Sequence, residues 1–352
     1  MAASLEIVIV NRNSGLQLFE CLSSISAADK TGIELRQVCV VDDASTDDSL
    51  REITLMSLPL KILRNDVHTG YGASCNRGAA ESDAKYILFL NTDTVLHPSS
   101  LIVPIRYLEQ SGHSTVGIVG VQLLDDRGAV SRSCSRFPTF GRMLAIVLGL
   151  DRVLPSIFPR HQMAEWDHLE TREVDQVIGA FMLVRRTVFE QLGGYDERFF
   201  VYMEDLDFSL RMRELGYRSV YLSTATAFHG GGGTSRRVKA ESLFFLLRSR
   251  FQYAVKHFGK PRGLVILLAT LGVEPVSRLV LTVWRRSWDD AWATLKAYAR
   301  LWKELPRLGD LARKTTNCLV VPSGPRRAAI GGLPNHDPSA ARMAVHREEG
   351  KP

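Results

Sequence analysis

The stretch Gln37-Val38-Cys39-Val40-Val41-Asp42-Asp43-Ala44-Ser45-Thr46-Asp47 decides the fold. Through Val41 it has the length and β-branched content of a buried strand. It then runs straight into a polar loop with three carboxylates. The same design appears twice more. Leu5–Val10 reads as a strand followed by Asn11-Arg12-Asn13, and Tyr86–Leu90 as a strand followed by Asn91-Thr92-Asp93-Thr94. Between these runs lie helical patterns at Leu16–Ser26 and Gly70–Ser82, an expected helix at Ser49–Met56 and an expected strand at Leu60–Arg64. Leu101–Ser111 reads as a helix and Val116–Val121 as a strand. Strands alternating with helices predict βαβ units and a mostly parallel sheet, hence an α/β fold. Ligands of such sheets sit at the carboxyl ends of the strands, which directs attention to the loops after Val10, Val41 and Leu90.

Composition supports a folded enzyme-sized chain. Of 352 residues, 45% are hydrophobic and 23% charged, which excludes a disordered or collagen-like chain. The five cysteines form no C-x-x-C pair, so neither a disulfide framework nor a zinc site is expected, and a reducing cytosol fits. The run Ile7–Val10 is too short for a signal peptide and lacks a basic flank. The net charge of +6 hides an asymmetry. Residues 1–235 carry 22 basic and 29 acidic side chains, and residues 236–352 carry 22 basic and 9 acidic. A basic segment on an acidic body predicts contact with something anionic.

Residues 126–172 read as an irregular insert. Order returns at Val174–Arg186 and in a helix near Met203–Leu215, stopped by Gly216. That helix opens with Glu204, Asp205 and Asp207, three carboxylates in four residues beside Phe199, Phe200 and Tyr202. The helix dipole favours ionised carboxylates there, and one of them could serve as a base. Plain capping, with Asp207 paired to Arg211, is the competing reading. Asn91 and Asp93 could share a divalent cation, and Asp42, Asp43 and Ser45 could be turn residues or could contact a nucleoside. His229 precedes Gly230–Gly233, a run suited to a loop that closes over a ligand.

Taken in order, Ile7–Asn11, Val40–Asp47, Gly70-Tyr71-Gly72 with Asn76-Arg77-Gly78, Leu90–Asp93, Gly193–Glu197, Glu204–Asp207 and His229 resemble family 2 glycosyltransferases of the GT-A fold, in the bacterial rhamnosyltransferase-like branch. The resemblance spans residues 4–260 or thereabouts. It implies that Asp42 and Asp43 contact the base and ribose, with Asn11 and Asn76 lining the same pocket. It implies that Asn91, Thr92 and Asp93 form the metal motif, with Asn in place of its first Asp, and that His229 completes a site for Mg²⁺ or Mn²⁺. Asp205 matches the base, with Glu204 and Asp207 supporting it, and Gly179-Ala180 match a loop near the donor sugar. The reaction so implied is inverting transfer of one sugar from a dTDP- or UDP-linked donor to a glycan or polyprenyl-diphosphate-linked acceptor in cell-envelope polysaccharide synthesis. dTDP-rhamnose is favoured over UDP-galactofuranose or UDP-glucose. No Q-x-x-R-W motif follows the glycine loop, so processive synthesis is not expected. A catalytically silent nucleotide- or partner-binding relative is the alternative from another class.

The expected organisation is a catalytic domain at 1–235, with a nucleotide-sugar half to about residue 125 and an acceptor half beyond it. A basic and apolar helical extension at 236–314 and a disordered tail at 315–352 follow. Helices are expected at Ser242–Phe258 and Trp288–Leu305. Between them, Gly263–Trp284 is strongly apolar, but Glu274-Pro275 and Arg278 interrupt it. A spanning helix needs about 20 uninterrupted apolar residues. The reading is therefore interfacial helices on an anionic leaflet, at the cytoplasmic face of the cell membrane. Nucleic-acid binding is not expected, since no such motif accompanies the charge.

Overall fold

Short apolar runs that are buried on both faces pair as parallel strands when helices cover the sheet. The computed structural model describes residues 2–51, 53, 56–158, 161–230, 239–284 and 286–317. Its strands are β1 (Ala3–Asn11), β2 (Ile33–Asp43), β3 (Leu60–Asn65), β4 (Tyr86–Asn91), β5 (Thr94–Leu96), β6 (Val116–Leu124), β7 (Cys134–Ser135), β8 (Arg172–Val174), β9 (Gln176–Val177), β10 (Phe181–Arg185) and β11 (Arg218–His229). Its helices are α1 (Leu16–Ala27), α2 (Tyr71–Ala79), α3 (Ile102–Glu109), α4 (Phe140–Val147), α5 (Leu150–Val153), α6 (Arg186–Gln191), α7 (Glu204–Glu214), α8 (Lys239–Phe258), α9 (Lys260–Gly272), α10 (Glu274–Trp284) and α11 (Trp288–Asn317).

The main sheet runs β3-β2-β1-β4-β10-β6-β11-β5, with β8 beside β11. Strands β3, β2, β1 and β4 are parallel. β10 is antiparallel to both β4 and β6, and β6 is parallel to β11. β6 and β11 therefore point the same way as β1–β4. The register aligns Asn11 with Asp42, Asp43 with Asn65, and Val10 with Asn91. One edge of the sheet thus collects the ends of β1, β2, β3, β4, β6 and β11, and β10 begins there. Three loops beyond those singled out in the sequence, after β3, β6 and β11, reach the same edge.

Helices cover both faces. Leu18, Leu22 and Ile105 pack on Leu5, Ile7 and Ile9, while Cys75, Val188, Phe208 and Met212 share the opposite core with Val8, Val41 and Phe89. α2 lies unusually close to the sheet. A Cβ on Gly78 would sit 2.5 Å from Val8 Cγ1, so only glycine fits. α8 contributes Phe244, Leu247, Phe251 and Tyr253 to the interior, and Tyr253 packs with Met143, Val147, Phe199 and Leu206. Burying each such side chain contributes about 1.5–3 kcal/mol. The helices to Thr316 belong to the same compact unit as the sheet.

Three local expectations change. The α-helix expected over Ser49–Met56 does not form in its described residues, which are turns, a bend and a 3-10 position at Ile53. Asp47 accepts from the Ser49 amide and from its hydroxyl at 2.6 Å, and from the Gly15 amide at 2.9 Å, pulling this segment into a loop tied to the start of α1. The last helix runs through Pro306 to Asn317 instead of ending at Leu305. Leu308 is fully buried against α8, and this packing outweighs the proline. Within the insert, the apolar stretch at Met143–Val147 is α4, docked on α8 and α9. Most of the tail at 315–352, from residue 318, lies outside the described residues.

Candidate active site

The loops after β1 and β2 are tied to each other. Asn11 is fully buried and donates to Asp42 Oδ1 at 2.8 Å, to Ser45 Oγ at 3.1 Å and to Ser49 Oγ at 2.8 Å. Arg12 donates to the Asp43 and Ala44 carbonyls. Asn13 and Ala44 both hold positive φ, near 50° and 57°. Strain of this kind at non-glycine residues persists only where surrounding bonds enforce it, and it clusters at functional loops. Beside this knot, Asp42, Ser45, Asp47, Asp48, Arg51 and Arg64 line a cavity of about 370 Å³.

Asp43 does a different job from Asp42. Its buried carboxylate accepts from Asn65 Nδ2 (2.9 Å), the Thr69 amide (2.8 Å) and the Gly70 amide (3.0 Å), and His68 Nδ1 lies 2.6 Å away. Burial disfavours its charge, but the contacts from His68, Asn65 and Thr69 hold the carboxyl below the usual range. Asp43 thereby fixes the turn into α2. Gly70, at φ 94°, has the Phe200 carbonyl 2.2 Å from where a Cβ would stand, and the Tyr71 amide donates to that carbonyl at 2.8 Å. The glycine is what lets the loop before α7 reach the end of β3. His68 meets Phe200 edge-on at 4.5 Å.

The three acids at the start of α7 point three ways. Tyr202 and Met203 both adopt left-handed backbone, φ 69° and 67°, and this double kink aims the first turn. Asp205, half-buried, accepts from the Gly179 amide at 3.1 Å and from the Leu206 amide at 2.8 Å. Burial raises its carboxyl above the ordinary value despite those donors. Glu204 is turned toward α2, with its Cβ near Gly72, and Oε2 is buried with no hydrogen-bond partner among the described residues. Burial and then the Asp205 charge raise it well above the carboxylate range. Asp207 is fully buried and bonded to Arg211 Nε (2.8 Å), Lys256 Nζ (2.5 Å) and His257 Nε2 (2.8 Å). The pairing with Arg211 expected of a structural residue forms, and Lys256 and His257 of α8 join it. This corrects the reading of Asp207 as a support of Asp205: its oxygens are committed to anchoring α8.

Gly179-Ala180 joins the two halves of the edge. Gly179 donates to Asp205, and its carbonyl accepts from the Tyr71 hydroxyl at 3.2 Å. The Ala180 carbonyl accepts from the Asn91 amide at 3.1 Å and the Thr94 hydroxyl at 3.2 Å. Asp93 follows directly, with His229 Nε2 3.3 Å from its Oδ1, because β5 pairs Thr94 with His229. Thr92 and Asp93 line a cavity of about 270 Å³ with Glu20 and Asp126. A carboxylate, an imidazole and neighbouring oxygens are a donor set that fits Mg²⁺ or Mn²⁺.

Asn76 lies elsewhere. Both ends of its amide are used, Oδ1 by the Tyr195 amide (2.8 Å) and Nδ2 by the Tyr195 carbonyl (2.9 Å) and Glu197 (3.0 Å). It holds the Gly194-Tyr195 turn against α2 and leaves no amide face for a nucleotide, which corrects its placement in the nucleotide pocket. The glycine loop expected to close over a ligand lies outside the described residues beyond Gly230. Sequence reading missed His68, Glu20 and Asp126. Asp126 follows β6 at the common edge, so the strand-end rule applied to Val116–Leu124 finds it. His68 and Glu20 sit on no motif.

Comparison with known proteins gives the same picture. A family model described as glycosyltransferase like family 2 matches residues 3–254. An N-acetylglucosaminyl-diphospho-decaprenol L-rhamnosyltransferase of Mycobacterium tuberculosis is 28% identical over 276 residues, 74% of this chain and 87% of the relative. The rhamnosyltransferase WbbL of Escherichia coli is 25% identical over 260 residues, covering 71% and 92%. A mannosyltransferase of Pyrobaculum calidifontis, solved with GDP-Man and Mn²⁺, superposes with TM-score 0.50 at 18% identity, covering 92% of this chain and 82% of that one. That likeness establishes the GT-A fold.

Proposed function

We propose that this chain, which belongs to glycosyltransferase family 2, moves a single sugar from a nucleotide diphosphate donor to a lipid-linked acceptor, with inversion. The observation that carries the reading is the Gly179-Ala180 bridge, which sets Asp205 and the Asn91–Asp93 loop on either side of one dipeptide. In this account the acceptor hydroxyl attacks the anomeric carbon, the bond from that carbon to the diphosphate oxygen breaks, and Asp205 takes the hydroxyl proton. The raised carboxyl of Asp205 makes it a stronger proton acceptor than an ordinary aspartate. Glu204 lies beside it, its carboxyl raised by burial and then by the Asp205 charge. Asp42, Asn11 and Ser45 face the nucleoside, with Asp43 fixing the loop from behind. Asp93 and His229, with Asn91 and Thr92 beside them, would hold a divalent cation. Bound there, it neutralises charge on the departing nucleoside diphosphate.

The donor proposed is dTDP-rhamnose, since the relatives covering most of this chain are named rhamnosyltransferases. One of them is named for a diphospho-decaprenol acceptor, which supports a lipid diphosphate acceptor here. The test is thermal stabilisation by a panel of dTDP- and UDP-sugars with and without Mn²⁺. The reading expects dTDP-rhamnose to give the largest shift and Mn²⁺ to increase it. No shift from any nucleotide sugar would contradict it.

Membrane contact is part of the proposal. Glu274, which breaks the apolar run in the sequence, folds inward to meet Arg250 and Arg278, with the Arg278 Nη2 contact at 2.8 Å. The outer side of α9 and α10 is left apolar by Leu264, Leu268, Val276 and Val280. Val280, Trp284 and Trp288 are 64%, 78% and 74% exposed. Lys260–Thr282 has mean hydropathy 1.9 and is by length and composition able to cross a membrane. An amphipathic helical surface with exposed Trp and flanking Lys and Arg favours lying in the interface.

A further inference from the structure

A cavity of about 400 Å³ lies between α5, α8, α10 and α11, away from the strand edge. That is the volume of a small-molecule site. Its wall carries Arg152, Lys239 and Arg278 against a single carboxylate, Asp290, with the hydroxyls of Ser242 and Thr282 beside them. Three cations and one carboxylate leave an excess of two positive charges. Lys239 is paired with Asp290 at 2.7 Å. Arg278 shares Glu274 with Arg250, so that group keeps one positive charge. Arg152 is exposed and makes no ion pair among the described residues. The cavity is therefore charged for a dianion.

Its surroundings are apolar. Val153 and Ile157 follow Arg152 along the chain, Val280 and Trp284 flank Thr282, and all four are exposed. A cationic recess framed by exposed apolar side chains matches a ligand with an anionic head and a hydrocarbon tail. The recess is also joined to the reaction centre. Ser242 lies one helical turn before Phe245, which stacks on Phe200 at 4.6 Å, and Phe200 leads directly into Glu204-Asp205.

We infer that this cavity seats the diphosphate of the lipid-linked acceptor, with the lipid chain lying along the apolar face of α10. The inference rests on the glycosyltransferase reading for the identity of the acceptor. Two negative charges complement the excess, whereas a phosphodiester lipid brings one. Held here, the diphosphate anchors the acceptor on the helices that pack through Phe245 on Phe200, in the loop before α7.

The test uses the full chain in neutral detergent micelles, with farnesyl diphosphate, farnesyl monophosphate, farnesol and phosphatidylglycerol as probes and tryptophan fluorescence as readout. Farnesyl diphosphate is expected to bind at least tenfold more tightly than farnesol or phosphatidylglycerol. The double variant Arg152→Ala/Lys239→Ala should lose at least tenfold for the diphosphate while its partition of farnesol stays the same. Arg152→Glu, at an exposed position, gives the same comparison if the double variant unfolds. Equal affinity for farnesol and the diphosphate, equal competition by phosphatidylglycerol, or unchanged binding in the variants would each overturn the inference. Nucleotide-sugar binding with Mn²⁺, measured on the same preparations, separates the two readings. Its absence in the unaltered protein counts against glycosyl transfer, while the farnesyl series alone judges the cavity.

Discussion

Asp207→Asn separates structure from chemistry at the start of α7. The substitution keeps the shape and removes the charge that Arg211, Lys256 and His257 surround. Lys256 retains Asp196 at 2.6 Å, so one of the three partners stays paired. Removing one partner of a buried ion pair costs about 3–5 kcal/mol. The retained Lys256 contact and the amide's residual hydrogen bonds place this variant near the lower end, about 3 kcal/mol. At about 2–4 °C per kcal/mol for domains of 150–250 residues, the melting temperature should fall by about 6–12 °C. The pH dependence has a defined sign. Burial opposes the charge of Asp207, but His257, Arg211 and Lys256 outweigh it and depress its folded value. Its contribution is therefore present above the unfolded carboxylate value of about 3.9 and is lost as pH falls toward the folded value. The stability gap between variant and parent should be full at pH 7 and close below about pH 4. Differential scanning calorimetry across pH measures both effects. Donor binding at 20 °C should survive, since the carboxylate faces α8. A variant with unchanged melting temperature would refute the anchoring role.

Gly70→Ala should destabilise the protein by about 1–3 kcal/mol from backbone strain alone, with the Phe200 carbonyl clash added; an unchanged urea midpoint would contradict the close approach. EDTA should suppress transfer and Mn²⁺ or Mg²⁺ restore it, and His229→Ala should raise the metal concentration needed at least tenfold, read by titrating activity against Mn²⁺. Trp284→Ser/Trp288→Ser should weaken sedimentation with anionic vesicles while leaving thermal stability within about 1 °C, because both side chains are exposed.

The parts legible in the sequence were those set by local pattern. Ile7–Val10 of β1, Val38–Val41 of β2 and Tyr86–Leu90 of β4 are continuous apolar runs because both their faces are covered, and each ends in polar residues because the sheet stops there. Parallel pairing of β1 with β2 then brings Asn11 to Asp42, and antiparallel pairing of β5 with β11 brings Asp93 to His229, although 31 and 136 positions separate them. What stayed hidden depended on direction. Glu204, Asp205 and Asp207 look like one acidic cluster, yet the kink at Tyr202-Met203 and the docking of α8 send them to α2, to Gly179 and to Lys256. Asn76 reads as a pocket residue, but its partner is a turn more than a hundred positions away. Glu274 reads as a break in an apolar run, and Arg250, from a different helix, is what turns it inward. Period and composition carry no information about such tertiary partners.

The central claim is that Asp205 is the base of a sugar transfer. Its most direct measurement compares Asp205→Asn with the unaltered protein for transfer from dTDP-rhamnose to a lipid-linked acceptor, alongside donor affinity by calorimetry. The account predicts that transfer falls by about 10²–10⁴ with donor affinity within about twofold. Near-normal transfer in Asp205→Asn would contradict it.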